Sequence, residues 1–375
     1  MRHDGSPPPP PSAPTGPGSR RTSATDEAGP PSGPLPPGRL TAWLRRRLGW
    51  TVTAAYLTAV ALPGPGLRLR HVHTVPLPGA CLPLNVPSLL LALVLFSAGL
   101  QVPLGDLGRL LRRPLALLAG LALHLAAPLL VVPAVAFALQ RSPDSDGGSG
   151  LITAMILIVA MPVAAGATVW TGKGDADQPV MVGLVLASTL LSPFTVPLTV
   201  HALSPLLGGD YAGTLDKAAY GAGNSFALTS VLLPCGAGIL TRLFLPHRVM
   251  QPLLRATPAA ALWGSLLLTY VNASGALGSF FTQPRPLLLA AALIVASAVC
   301  ALSFALGRVT ARLLRLDTPT GSSLTLACGM NNSSASAVLI TTALPDRPHL
   351  LLPVLAYGFL QKLAAGRVVR ASAHG

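Results

Sequence analysis

The chain has 375 residues, of which 51% are hydrophobic and only 10% charged, and it carries a formal net charge of +14. Soluble domains carry about 25% charged residues, so a water-soluble enzyme or binding module is excluded, and the mean hydropathy of +0.60 agrees. A basic balance can serve a nucleic-acid partner, but here the basic residues lie scattered between long apolar windows, and no such partner is expected.

Residues 1–40 are rich in Pro, Gly and Ser, with a proline run at Pro7–Pro11. Such a segment buries too little apolar surface to offset its ordering entropy and is expected to be a disordered cytoplasmic tail. It lacks the continuous apolar stretch of a secretory signal. From Gly49 onward, windows free of Lys, Arg, Asp and Glu follow one another, the longest from His71 to Gly105. A helix crosses the hydrocarbon core with about 20 apolar residues. Helices are therefore expected at about 49–64, 84–102 and 114–138, then a broken helix at about 150–171 and one at about 178–203. The second half repeats the scheme at about 219–245, 256–275 and 286–307, with a broken helix at about 319–343 and a last helix at about 347–368.

The expected fold is an all-α membrane protein of ten transmembrane helices, arranged as two inverted five-helix repeats over residues 41–210 and 211–370. An odd number of helices per repeat turns the halves into opposite orientations, and the broken fourth and ninth helices occupy matching positions. Assigning Arg68, Arg70, Arg141, Lys217, Arg285 and Arg347 to the outer side leaves 20 of the 26 basic residues inside. The positive-inside rule then makes both termini cytoplasmic, in a multi-pass plasma-membrane protein.

The breaks carry the chemistry. The run Leu326-Ala327-Cys328-Gly329-Met330-Asn331-Asn332-Ser333-Ser334-Ala335-Ser336 sits within a charge-free span, as does Met161-Pro162-Val163-Ala164-Ala165-Gly166-Ala167-Thr168. Polar groups and unwound backbone at bilayer depth are tolerated where they are buried in protein or line a water-filled path. Half-helix N-termini favour an anion, and C-termini with unwound carbonyls favour a cation. Asn331 and Asn332 are expected to bind substrate or ion, with Thr168 facing them across the crossing. The four cysteines, Cys81, Cys235, Cys300 and Cys328, show no metal-ligand spacing and read as small hydrophobes, Cys328 adjoining the second break.

These residues resemble the bile acid:sodium symporter family, within the wider bile/arsenite/riboflavin transporter group, from about Trp50 to Val369. The anchors are Gly99-Leu100-Gln101-Val102-Pro103, the Pro162 break, Ala187-Ser188-Thr189-Leu190-Leu191-Ser192-Pro193 and Gly329-Met330-Asn331-Asn332-Ser333. The resemblance implies a panel domain and a core domain, with the fourth and ninth helices crossed in the core. It also implies a secondary transporter of an organic anion, bile-acid-like or a small carboxylate, with sodium or a proton as coupling ion and no other cofactor.

The chain departs from the family where sodium would bind. The family's Gly-Gly-x-x-Ser-Asn after the first-break proline reads Val163-Ala164-Ala165-Gly166-Ala167-Thr168, and its Glu-x-Gly-x-Gln-Asn reads Ala327-Cys328-Gly329-Met330-Asn331-Asn332. Ala327 thus stands at the glutamate position, and Glu27, in the tail, is the single glutamate. A carboxylate offsets much of a hard cation's dehydration cost. Neutral oxygens of Thr168, Ser188, Thr189, Ser192, Asn331, Asn332 and Ser333 make at best a weaker site, so sodium coupling is expected to be weak or absent. His124 in the third helix is a candidate proton relay. Lys362 in the last helix either snorkels to the interface or stands in as an internal cation.

Two other functions fit in part. An arsenite or oxyanion exporter of the same superfamily shares Asn331-Asn332 and Val169-Trp170, but that branch has a cysteine where Val163 stands. A transport-inactive sensor or scaffold would explain the missing carboxylate but leaves the polar breaks without purpose. No carboxylate pair, Ser/His/Asp set or phosphate loop supports an enzyme or an ATP-driven pump.

Overall fold

The structure, a computed structural model, describes residues 37–70, 73–77, 80–102, 114–139, 148–208, 210–217, 226–282 and 286–372. Most of the expected tail, Arg141 and the end of the Pro103 motif lie outside the described residues. The first helices are α1 (Pro37–Arg46), α2 (Leu48–Ala61) and α3 (Pro63–Arg68). A two-stranded antiparallel hairpin follows, β1 (His73–Leu77) with β2 (Ala80–Leu84), His73 opposite Leu84. The all-α expectation therefore holds for the membrane helices and misses this hairpin between them.

The helices after it are α4 (Val86–Leu100), α5 (Pro114–Leu139), α6 (Ser149–Val159), α7 (Ala167–Thr171), α8 (Gln178–Leu203) and α9 (Asp210–Lys217). Then come α10 (Leu233–Phe244), entered through a π-helical turn over Ala227–Leu232, α11 (His247–Thr282) and α12 (Pro286–Leu313). The chain closes with α13 (Thr318–Gly329), α14 (Ser333–Ala343) and α15 (Leu351–Ser372). Asn85 and Asp177 start α4 and α8 as N-caps, their side chains accepting from the Ser88 and Val180 amides.

Among the described residues, 5 helices are long and apolar enough to cross a membrane, the most hydrophobic being Pro286–Leu313. Together with the family described below, they make this an integral multi-pass membrane protein. Leu287, Phe244, Leu313 and Phe194 are 75% to 85% exposed, which is how a lipid-facing surface looks when no lipid is present. The half-helix α6 behaves differently. α6 has 11 residues, about 16 Å of helix, too short to span. It is apolar on every side, and all of it except Gly150 is buried, so it is enclosed by other helices.

The helices pack as two groups. One gathers α2, α3, α4, α10 and α11; the other gathers α5 to α8 and α12 to α15. Small residues permit close approach within each. A Cβ on Gly307 of α12 would lie 2.8 Å from the Thr325 Cα of α13, and one on Gly120 of α5 would overlap Leu184 of α8.

Candidate functional site

The broken helices meet at their breaks. Pro162 has no N–H to continue the α6 ladder, and the chain leaves the helix after Ala160. On the other side, α13 stops at Gly329 and α14 restarts at Ser333, where the Asn332 side chain caps it by accepting from the Ala335 amide at 3.1 Å. Between these ends Val163 and Asn331 form an isolated antiparallel bridge. The Ala164 amide donates to the Met330 carbonyl at 2.8 Å, and the Asn332 amide donates to the Pro162 carbonyl at 3.0 Å. Each break thus supplies the backbone partners that the other lost, which is how unwound backbone persists away from water.

Side chains lock this crossing. The Ser188 hydroxyl of α8 accepts from the Val163 amide at 3.1 Å and donates to the Val185 carbonyl. Tyr357 of α15, 0% exposed, donates its hydroxyl to the Gly329 carbonyl at 3.0 Å and accepts from the Asn331 amide nitrogen at 3.1 Å. Ser336 of α14 donates to the Leu157 carbonyl of α6 at 3.0 Å. Gly329 itself is required by close approach, because a Cβ there would enter the Phe304 ring of α12.

Beside the crossing lies a cavity of about 300 Å³, between the two groups of helices. That is the lower end of the range for small-molecule sites. Leu91 and Leu95 of α4 and Leu262 and Leu266 of α11 form part of an apolar wall, facing Thr168, Asn331, Asn332 and Ser333. Lys362 also lines it, and no Asp or Glu does so among the described residues. The start of α14 is at this wall, with its N-terminal dipole favouring negative charge.

The expected site residues divide here. Thr168, Thr189, Asn331, Asn332, Ser333 and Lys362 line the cavity together. Ser188 and Ser192 do not: Ser188 braces the first break, and Ser192 donates to the Thr189 carbonyl of its own helix at 2.8 Å. His124 is buried in α5, away from the cavity wall, so the structure does not bring this candidate relay to the crossing. Lys362 sits mid-way along α15, five residues before Arg367. Ala327, where the family resemblance places a glutamate, is 2% exposed inside α13 and offers no ligand. No cluster of His, Cys, Asp or Glu suited to a metal occurs among the described residues.

Sequence reasoning picked out Lys362 in the last helix but not its neighbours Tyr357 and Gln361. Tyr357 and Gln361 are four residues apart on one face of α15, and both reach the crossing. Gln361 donates its amide to Ser333 Oγ at 3.1 Å and lines the cavity, while its Oε1 is buried without a partner. Two polar residues at this spacing within a charge-free window were the available signal.

The family model of the Sodium Bile acid symporter family matches residues 88–283. The chain is similar to the "Uncharacterized sodium-dependent transporter YocS" of Bacillus subtilis (strain 168), with 24% identity over 257 residues, covering 68% of this chain and 73% of that protein.

Proposed function

Because the chain belongs to the sodium bile acid symporter family, we propose that this membrane transporter moves an organic anion by a secondary mechanism with little or no coupling to sodium. One observation carries the reading. The cavity at the crossing presents hydroxyls, amides and one ammonium against an apolar wall, with no carboxylate among its described lining. Such a lining suits an amphipathic anion whose apolar body lies against α4 and α11. It suits sodium poorly, because neutral oxygens leave a full charge weakly compensated in a low-dielectric site. Hydrogen bonds already engage several of those oxygens, including Asn332 Oδ1 and Ser333 Oγ.

The Bacillus relative's name carries sodium dependence, which favours a second reading in which neutral oxygens alone bind the ion. Uptake of a labelled organic-acid panel into proteoliposomes at fixed membrane potential, with sodium replaced by choline, separates the two. Uptake rates that stay within about twofold are expected; a steep, saturable sodium requirement overturns the proposal.

The same reading includes ten crossings in two inverted repeats with both termini cytoplasmic. The paired broken helices and the excess of basic residues on one side support it. Cysteines placed at positions 312 and 347 should then label from opposite sides in intact cells, Arg312→Cys from inside and Arg347→Cys from outside. Outside labelling of position 312 overturns the orientation.

A further inference from the structure

Lys362 is the one charged side chain among the described residues of the cavity wall. It stands eleven residues after Leu351 and ten before Ser372, the ends of α15. At 1.5 Å per residue it is about 16 Å from the first end of the helix but only about 7.5 Å from Arg367, the next charged residue. Even so, Lys362 lines the cavity. No hydrogen bond or ion pair to it occurs among the described residues. Its neighbours on the wall, Asn331, Ser333 and Gln361, are neutral, and Gln361 Oε1 is a buried acceptor without a partner.

An unpaired ammonium on the wall of a largely apolar cavity is tolerated only while that cavity is open to water. Alternating access requires the site to pass through a state closed to both sides. Closing the empty cavity strips the ammonium of water and gives it nothing in return. Closing it around one negative charge leaves a neutral, hydrogen-bonded pair.

Resting on the transporter reading above, we propose that Lys362 pairs directly with the anionic headgroup of a monoanionic amphiphile, and that this pairing makes the protein an exchanger. Each half-cycle carries one carboxylate or sulfonate anion, so one anion enters as one leaves and no net charge crosses. The fixed ammonium holds the place that a coupling cation would otherwise take. A neutral analogue leaves the closed site at +1 and a dianion leaves it at −1, so both are poor substrates.

The test uses the full chain in proteoliposomes and labelled taurocholate, a permanently monoanionic steroid sulfonate. Vesicles are loaded with unlabelled taurocholate or with potassium sulfate alone. Entry of label is expected to be at least about tenfold faster into the taurocholate-loaded vesicles, and indifferent to a potassium diffusion potential. Lys362→Gln is expected to erase that advantage, bringing the two loadings within about twofold, while Lys362→Arg keeps it. Should Lys362→Gln fail to fold, the wild-type loading comparison and Lys362→Arg still decide. Equal entry into both kinds of wild-type vesicle overturns exchange and leaves the transporter reading standing. An exchange advantage retained in a folded Lys362→Gln protein overturns the role of the ammonium. Absence of protein-dependent entry under every loading overturns the transporter reading, and exchange with it.

Discussion

Asn331→Leu is expected to lower transport at least about 100-fold while the protein still folds and inserts. Asn331 acts at three levels. Its backbone bridges Val163 across the two breaks, its amide nitrogen donates to Tyr357, and it lines the cavity. Leucine keeps the volume and the backbone bridge but removes every polar atom that the side chain presents to a bound anion. The fold loses one buried hydrogen bond, about 1–3 kcal/mol, and Tyr357 keeps its bond to the Gly329 carbonyl. Tyr357→Phe serves as the comparison, since it removes the hydroxyl that orients the Asn331 amide and leaves the amide in place. A partial loss of uptake is expected there. Wild-type uptake kinetics in Asn331→Leu would show that the polar run serves helix packing alone.

Gly238→Leu is expected to prevent α4 and α10 from docking, at a cost above about 3 kcal/mol. A Cβ on Gly238 would lie 2.8 Å from the Leu100 amide nitrogen and closer still to the Phe96 carbonyl. The relation is reciprocal, because a Cβ on Gly99 of α4 would overlap the Cys235 carbonyl of α10. Backbone atoms of a helix cannot rotate away as a side chain tip can, so the helices must separate. Gly236, two residues earlier in α10, has nothing within 4 Å of the same hypothetical atom. Gly236→Ala should therefore be neutral, or stabilising by about 0.5–1 kcal/mol through the helical preference for alanine. Thermal unfolding in detergent, followed by size-exclusion chromatography, reads both. A Gly238→Leu protein as stable as wild type would mean that this contact does not hold the two helices together.

The Gly99 motif shows how legibility divides in this protein. Gly99-Leu100-Gln101 carries the family resemblance without any local physical reason; the reason is an interhelical backbone contact that no local pattern reveals. What the amino-acid order determined by itself was local. Long charge-free windows marked the membrane helices, because a charge in hydrocarbon is costly wherever the helix packs. Pro162, Gly166, Gly329 and the Asn331-Asn332-Ser333 run marked the breaks, because a missing N–H or a capping side chain acts within a few residues.

Only the tertiary structure decided what those breaks do. The register that sets Val163 against Asn331 joins residues far apart in the chain. The division of Thr168 and Thr189 onto the cavity wall from Ser188 and Ser192 behind it depends on which way α7 and α8 are rotated. In a soluble helix, an apolar stripe would have fixed that rotation. Here lipid and protein interior are about equally apolar, so a helix that is hydrophobic on every side carries no mark of which face meets its neighbours. For the same reason His124 gave no sign that α5 turns it away from the cavity, and the spacing of Tyr357 and Gln361 marked a polar face of α15 without showing that this face meets the crossing.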